Sequence, residues 1–370
     1  MINEQRLVQE FMELVQVDSE SRHERQIADL LKDKLATMGL EVIEDQAGQA
    51  VGTDTGNIIA TLRGNGHTTP VFFSAHMDTV QPGQGVKPIL ENGLIRSAGD
   101  TILGGDDKAG IAAILETLRI IQEQNIEHGD IQVVLTIIEE GGLLGAKHLA
   151  YEQLAAKFGF VLDSGGRPGS LVVQGPAQDS LTVAIIGKPA HAGMSPEEGI
   201  SAVQVAAKAI AAMRLGRIDA KTTANIGIIE GGKATNIIPD LVNLQGEARS
   251  LNEDKLNDQV QHMRETFEAA AQEYGAQVHI KVERMYSGLN LTPEDPVVAI
   301  AMEAAQQLGW EPVLEPTGGG SDANIFNAKG LPTVNLGVAM TKVHTTEETI
   351  AVQDLVDTVK FLVQIVRSIN

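Results

Sequence analysis

The sequence predicts an α/β fold in which a mostly parallel sheet is covered by helices on both faces and is interrupted by an inserted α+β domain. Apolar, strand-like segments alternate with amphipathic helical segments along residues 1–175. The pattern becomes antiparallel over residues 176–285, and the α/β alternation returns over residues 286–370. A chain of 370 residues is also longer than one ordinary domain requires.

The elements of the first segment follow from the spacing of its apolar residues. Residues 3–16 and 23–38 have helical spacing, and Gly39 gives the second helix a C-terminal stop. The remaining segments alternate between short apolar runs, typical of buried strands, and longer stretches with a helical period. The predicted strands cover 57–64, 70–76, 131–140 and 158–165, and the predicted helices cover 109–124 and 145–157.

The inserted domain, residues 176–285, is predicted to contain four antiparallel strands and two helices. The strands cover 179–187, 222–229, 240–250 and 276–282, and the helices cover 200–215 and 254–274. A helix over 296–309, a strand over 332–338 and a helix over 352–369 then complete the α/β domain. We therefore expect one domain from residues 1–175 and 286–370 with another inserted into it.

Composition limits the kinds of site and partner. The chain has 43% hydrophobic residues, enough for a core, and it has no cysteine. Any metal must therefore be held by His, Asp and Glu, which suit zinc, manganese or cobalt. The net charge of -21 disfavours nucleic acid and anionic membranes as partners. The start, "MINEQRLVQEFMELVQV", has no unbroken apolar core of a signal peptide, so we expect a cytoplasmic protein.

Acidic residues and histidines gather where predicted strands end or helices begin, as in "VFFSAHMDTV" and "GGDDKAG". Five separate segments contribute them: His76 and Asp78, Asp106, Glu139 and Glu140, Asp163, and His344. Each segment alone has an ordinary explanation, since tandem aspartates commonly cap a helix and a lone histidine commonly lies in a loop. Ligand sites of parallel sheets, however, lie beyond the carboxyl ends of the strands. The convergence of five segments therefore predicts a functional site.

The order H-x-D, D-D-K-A-G, E-E-G, a strand-terminal D and a C-terminal H closely resembles the di-zinc exopeptidase family that includes peptidase T, aminoacylase and carboxypeptidase G. The resemblance covers essentially the whole chain, including "GKPAHAG" in the inserted domain. The stretches "GGDDKAGIAAI" and "GAKH" are most similar to the peptidase T branch. The resemblance implies a zinc exopeptidase-like fold and a metal-dependent hydrolase.

The resemblance also implies a ligand set for two divalent ions per chain, which we expect to be Zn²⁺, with Mn²⁺ or Co²⁺ as alternatives. One ion is expected on His76 and Asp163, the other on Glu140 and His344, with Asp106 bridging both. The charge of the site agrees, because four carboxylates in one cleft need about four compensating positive charges. The peptide bond that follows Asp106 is expected to be cis, as in relatives.

Three residues are assigned to catalysis by the same resemblance. Glu139 is expected to act as general base on a metal-bridging water and to pass the proton to the leaving amine. Asp78 is expected to accept the other ring N–H of His76 and so to orient it. His191, in "GKPAHAG", is the candidate donor to the oxyanion, with a turn histidine as the alternative. Whether His191 acts in its own chain or in a partner is left open.

Substrate binding is expected from Asn236 in "GGKATNIIPD", from Arg249 in "EARS" and from the glycine-rich loop of Gly319, Gly320 and Ser321. Arg249 suits a bidentate contact to a carboxylate, although a turn Asn and a salt-bridge Arg are ordinary alternatives. One residue departs from the peptidase T branch, because Gly318 stands where relatives carry an Arg expected to bind the peptide's C-terminal carboxylate.

We therefore predict an exopeptidase for short peptides that releases the N-terminal residue of tripeptides. An N-acyl amino-acid amidohydrolase, a carboxypeptidase of the same family and a non-catalytic peptide-binding relative remain alternatives. We also predict a homodimer formed through the inserted domain.

Overall fold

The computed structural model describes residues 2–369, which divide into two units. The first unit contains residues 2–173, 290–316 and 321–369, and the second contains residues 174–289 and 317–320. No helix within the described range is long and apolar enough to cross a membrane.

The part of the chain before the second unit alternates strands with helices. Its helices are α1 (Glu4–Val15), α2 (Arg25–Thr37), α3 (Ala47–Val51), α4 (Gly105–Glu123) and α5 (Leu144–Lys147), followed by a 3₁₀ turn (Tyr151–Gln153). Its strands are β1 (Glu41–Glu44), β2 (Ile58–Leu62), β3 (Val71–His76), β4 (Pro88–Glu91), β5 (Leu94–Ser97), β6 (Ile131–Thr136), β7 (Phe158–Ser164) and β8 (Ser170–Gly175).

The later parts of the chain supply the second unit and then complete the first. The second unit has strands β9 (Ala177–Ile186), β10 (Gly216–Arg217), β11 (Thr222–Gly231), β12 (Leu241–Ser250) and β13 (Gln277–Tyr286), with a 3₁₀ turn (Pro196–Glu198) and helices α6 (Ala202–Ala212) and α7 (Glu253–Tyr274). The final segment has β14 (Leu289–Asn290), α8 (Pro296–Gln307), β15 (Val313–Pro316), α9 (Asp322–Ala328), β16 (Thr333–Gly337), β17 (Thr349–Ala351) and α10 (Val352–Ser368).

The large sheet of the first unit has a parallel centre and antiparallel strands toward its edges. Its strands lie in the order β1-β2-β6-β3-β7-β16-β8-β14, and β15 pairs with β8. The four central strands β6, β3, β7 and β16 pair in parallel. Strands β3 and β6 are buried along their whole length, as expected for strands covered on both faces. The predicted α/β class is confirmed.

The helices of the first unit and its large sheet share one apolar core. Helix α4 packs against β3 and β7 and also contacts α1 and α10. Residues of these helices, such as Phe11, Leu115 and Leu362, are fully or almost fully buried. Burial of such side chains stabilises the fold by roughly 1.5–3 kcal/mol each.

The second unit has its own core between a five-stranded antiparallel sheet and two helices. The strand order is β10-β11-β12-β9-β13, and the buried side chains of β9 and β12 face α6 and α7. Four of the strands and both helices are those that the sequence predicts. The fifth, β10, has only two residues, too few to leave an alternating pattern in the sequence.

The prediction of a helix over 145–157 is wrong for most of its length, since α5 ends at Lys147. The backbone N–H groups that would continue the helix are bound by side chains from elsewhere. Asp45 accepts the N–H of Ala150 at 3.1 Å, and Gln132 accepts those of two later residues. Side-chain acceptors here replace the helical carbonyls.

The predicted strand over 131–140 ends early, at Thr136. Ile138 has a positive φ of 49°, which is rare for a β-branched residue, and its N–H donates to Oε1 of Glu24 at 3.2 Å. The chain therefore turns before Glu139 and Glu140, which lie in a turn rather than on the strand.

Candidate metal centre

The central strands of the first unit bring the acids and histidines of five segments into one cluster. Nε2 of His76, at the end of β3, lies 3.1 Å from Oδ1 of Asp106. Nε2 of His344 lies 3.2 Å from Oδ2 of Asp106 and 2.7 Å from Oε1 of Glu140. The two oxygens of Asp106 therefore face different imidazoles, as a bridging carboxylate would.

A second group of donors shares His76 with the first. Potential ligand atoms of His76, Glu139 and Asp163 lie within 4.8 Å of one another, as do those of His76, Asp106 and Glu140. Except for His344, these side chains are buried or nearly so. Imidazole and carboxylate donors at this spacing fit divalent cations such as zinc or manganese.

Burial and the crowding of charge raise the pKa values of two carboxyl groups and one histidine of the cluster. Burial and the nearby Asp163 raise the pKa of Glu139, and burial together with Asp106 raises that of Asp163. Hydrogen bonds to Asp106 and Glu140 raise the pKa of His344 to about 10. Raised pKa values at the two carboxyl groups and at His344 are the shifts expected of a cluster with too little positive charge. Bound divalent cations would supply that charge, so the donor set fits them electrostatically as well.

Asp78 orients His76 differently from the expectation. Its backbone carbonyl lies 2.9 Å from Nδ1 of His76, whereas its carboxylate Oδ1 lies 3.5 Å away. The carboxylate instead accepts hydrogen bonds from Oγ of Ser21 at 2.6 Å and from the N–H groups of Glu139 and Glu140 at 2.9 and 3.2 Å. One residue thus fixes both the imidazole ring and the backbone of the glutamate pair.

The tandem aspartates at the start of α4 depart from helical geometry. The peptide bond between Asp106 and Asp107 is cis, as the resemblance predicts, and both residues have non-helical φ and ψ angles. Oδ2 of Asp107 accepts the N–H of His76 at 3.2 Å. The second aspartate therefore contacts the backbone of a candidate ligand in this structure.

The second unit carries the other predicted site residues except Ser321. Nδ1 of His191 accepts the N–H groups of Gly193 and Met194, each at 3.2 Å, which orients the exposed ring. The N–H of Ala192 donates to the carbonyl of Asn236 at 3.0 Å, so the structure brings the His191 and Asn236 loops together. Arg249 lies on β12, where it pairs with Glu247.

The glycine-rich loop has part of its backbone already hydrogen-bonded. The N–H of Gly319 donates to Oγ1 of Thr317 at 3.2 Å, and the N–H of Ser321 donates to Oδ1 of Asn324 at 3.1 Å. A Cβ added at Gly320 would lie 2.3–2.6 Å from ring and hydroxyl atoms of Tyr286, so a larger residue there would require the tyrosine side chain to move. Tyr286 was not singled out by the sequence.

Comparison with known proteins decides the family. Residues 72–368 match peptidase family M20/M25/M40. The chain belongs to this family. It is a metallopeptidase, and the predicted resemblance is confirmed.

Three relatives of this metallopeptidase align along almost its whole length. The crystal structure of aminopeptidase PepT from Bacillus cereus is 48% identical, with a TM-score of 0.89, and the alignment covers 99% of each chain. A tripeptidase structure from Staphylococcus aureus is 45% identical, with a TM-score of 0.94, covering 99% of this chain and 98% of that one. The uncharacterized protein YqjE of Bacillus subtilis is 48% identical over 99% of both chains.

Two polar residues that the sequence did not indicate support the metallopeptidase's cluster. Oδ1 of Asn335 accepts the N–H of Asp163 at 3.0 Å, and its Nδ2 donates to the Asp163 carbonyl at 2.7 Å. The buried carboxylate of Glu348 accepts the N–H groups of Leu103, Gly104 and Asp106 at 2.8, 2.8 and 3.0 Å. Glu348 thus connects the loop that carries Asp106 to the segment that carries His344. Within "KVHTTEE", nothing distinguishes it from its neighbour Glu347.

Replacing Glu348 by alanine should lower the thermal unfolding midpoint of the metal-free protein by several degrees. Three buried N–H groups lose their acceptor, and each unsatisfied group costs about 1–3 kcal/mol. Glu347→Ala is the matched control, because Glu347 is exposed and forms an ion pair with exposed Lys342. Equal midpoints for the two variants in a calorimetric scan would show that Glu348 does not hold the loop.

Proposed function

We propose that this metallopeptidase is an aminopeptidase that releases the N-terminal residue of tripeptides. The supporting observation is the 45–48% identity, over 99% of the chain, to structures described as an aminopeptidase PepT and a tripeptidase. An N-acyl amino-acid amidohydrolase or a carboxypeptidase of the same family is the rival, favoured by Gly318, which supplies no charge where the peptidase T branch has an Arg. A non-catalytic peptide-binding relative is the more distant alternative.

We propose that two divalent cations, Zn²⁺ with Mn²⁺ or Co²⁺ as alternatives, bind in the first unit. His76 and Asp163 would hold one, Glu140 and His344 the other, and Asp106 would bridge them. The distances from the two oxygens of Asp106 to His76 and His344, 3.1 and 3.2 Å, support this arrangement. Bound cations would polarise the scissile carbonyl and make a water molecule more acidic.

Glu139 is the proposed general base. The residue is only 8% exposed, and the bond from its N–H to Asp78 fixes its backbone. The carboxylate would take a proton from water and pass it to the leaving amine. His191 would donate a hydrogen bond to the developing oxyanion, from its own chain or from a partner. Its Nδ1 already accepts two backbone N–H groups, so Nε2 carries the proton that it would donate.

The two units would divide these tasks. The first unit contains all five proposed metal ligands and the proposed base, and we propose that it is the catalytic domain. The second contains His191, Asn236, Arg249 and the loop of Gly319 and Gly320, and we propose that it acts as a lid and dimerisation domain, with Ser321 of the first unit also binding substrate.

The second unit also carries the surface that supports a homodimer. Of the eleven large hydrophobic residues exposed among those described, eight lie in this unit. Two of them, Ile228 and Ile229, are 46% and 54% exposed on β11, which β10 covers only at Thr223 and Ala224. An open strand edge beside exposed isoleucines is a favourable surface for pairing with another chain.

Analytical ultracentrifugation should therefore give a mass twice that of one chain, which is 39.4 kDa. Ile229→Lys should shift it to the monomer at micromolar concentration, because a buried lysine would oppose association. Leu90→Lys, which alters an exposed apolar residue of the first unit, should leave the dimer intact. A wild-type monomer, or dissociation by Leu90→Lys alone, would exclude the proposed interface.

The activity is tested with a free tripeptide, its N-acetyl form and the matching N-acetyl amino acid. We expect kcat/KM for the free tripeptide to exceed the others by about 10–100-fold, because losing a charge-assisted contact to the N-terminal ammonium costs roughly 1.5–3 kcal/mol. Preference for either blocked substrate would contradict the aminopeptidase assignment and favour the N-acyl amino-acid amidohydrolase.

A further inference from the structure

The outer face of β12 carries an ion pair between Glu247 and Arg249, which uses two of the three guanidinium nitrogens of Arg249. Glu247 and Arg249 are two residues apart and so lie on the same face of the strand. Buried Val242, Leu244 and Ala248 point to the opposite face, toward α6 and α7. Nε and Nη2 of Arg249 donate to the two carboxylate oxygens of Glu247, each at 3.0 Å. This is the bidentate geometry in which arginine binds carboxylates.

Glu247 is held in this position by the neighbouring strand. Nε2 of Gln178, on β9, donates to Oε2 of Glu247 at 2.7 Å. Gln178 lies directly opposite Arg249 in the register with β12 and directly opposite Tyr286 in the register with β13. Gly320 packs against that tyrosine. Arg249, Gln178 and Tyr286 therefore form one row across the sheet of the second unit, with Glu247 bound to the first two residues and Gly320 packed against the third.

The pair leaves Arg249 with a limited capacity for another anion. Its Nη1 makes no hydrogen bond to any of residues 2–369, so one edge of the guanidinium is available to a ligand. The positive charge, however, is already balanced by Glu247. Gly318 adds no second cation, and among described residues no heavy atom lies within 4 Å of a Cβ built there, so crowding does not explain the glycine.

We propose that Glu247 determines substrate specificity by competing with the peptide's C-terminal carboxylate for Arg249. An incoming carboxylate must either displace Glu247 or bind beside it, where the two anions repel. The enzyme would then bind peptides with a neutral C-terminus about as well as peptides with a free carboxylate. This inference rests on the proposed function, and it assigns Arg249 of the proposed lid domain to that end of the substrate.

The test measures binding of trialanine and trialanine amide by calorimetry. The metal-loaded Glu139→Gln chain is used, so that turnover does not consume the ligand. In this background the two dissociation constants should agree within about threefold, because Arg249 is neutralised. Adding Glu247→Gln keeps one acceptor for Arg249 but removes the competing charge. It should tighten binding of trialanine about tenfold and leave the amide unchanged.

Two further variants show whether the effect passes through Arg249. Adding Arg249→Met to Glu247→Gln should remove the gain for trialanine. Glu268→Gln removes a charge from the exposed side of α7, on the other face of the sheet, and should change neither constant. The proposal is overturned if Glu247→Gln does not favour trialanine, if the gain survives loss of Arg249, or if neither peptide binds. Failure of the wild-type enzyme to cleave trialanine would instead count against the aminopeptidase assignment.

Discussion

Glu139→Gln should reduce kcat by about 10²–10⁴-fold while the full complement of metal stays bound, because an amide cannot accept the proton of water. The substitution preserves the size of a buried side chain, and the bond from its N–H to Asp78 does not depend on the carboxylate. The loss should therefore appear in kcat rather than in folding.

The neighbouring glutamate provides the matched control. Glu140→Gln alters the residue whose Oε1 lies 2.7 Å from Nε2 of His344, and it should lower metal content as well as activity. Elemental analysis beside steady-state kinetics separates the two variants. If Glu139→Gln kept wild-type kcat with unchanged metal content, another group would be the base.

Asp106→Ala should abolish activity and reduce bound metal from about two ions per chain to less than one, since both proposed ions lose a shared ligand. One carboxylate oxygen of Asp106 lies near His76 and the other lies near His344. Within residues 2–369, no other carboxylate forms an ion pair with both imidazoles. Mass spectrometry of metals after gel filtration measures the stoichiometry.

Asp100→Ala is the control for Asp106→Ala, because Asp100 is an exposed acid shortly before the same helix. It should retain two ions and full activity. Circular dichroism of both variants shows whether the fold is kept. Saturation of the wild-type chain at one ion would contradict the bridging role, and so would an Asp106→Ala chain that still bound two.

Sequence reasoning was most successful where one strand's composition determines its environment. The largely apolar segments of β3 and β6 were predicted as buried strands, and both are buried along their whole length. Because parallel strands end at one edge, the polar residues after them could be predicted to meet there, and the distances around Asp106 show that they do.

The prediction was poorer where distant side chains decide local structure. The helical pattern after α5 is real, but Asp45 and Gln132 bind its backbone N–H groups. The position of the glutamate pair depends on the turn at Ile138, which Glu24 helps to hold. Glu348 is similar, since its partners lie more than 240 residues away along the chain. None of these contacts leaves a periodic signal.

The place of β16 in the large sheet has a consequence for the order in which the protein can fold during synthesis. This strand, Thr333–Gly337, lies between β7 and β8 and pairs with both, although they precede it by more than 150 residues. A ribosome releases β7 and β8 first, then the whole second unit, and only afterwards the strand that joins them. The second unit, with its own core, can fold while the sheet is still open. The large sheet, whose central strands carry proposed metal ligands at their ends, can be completed only when translation is nearly finished.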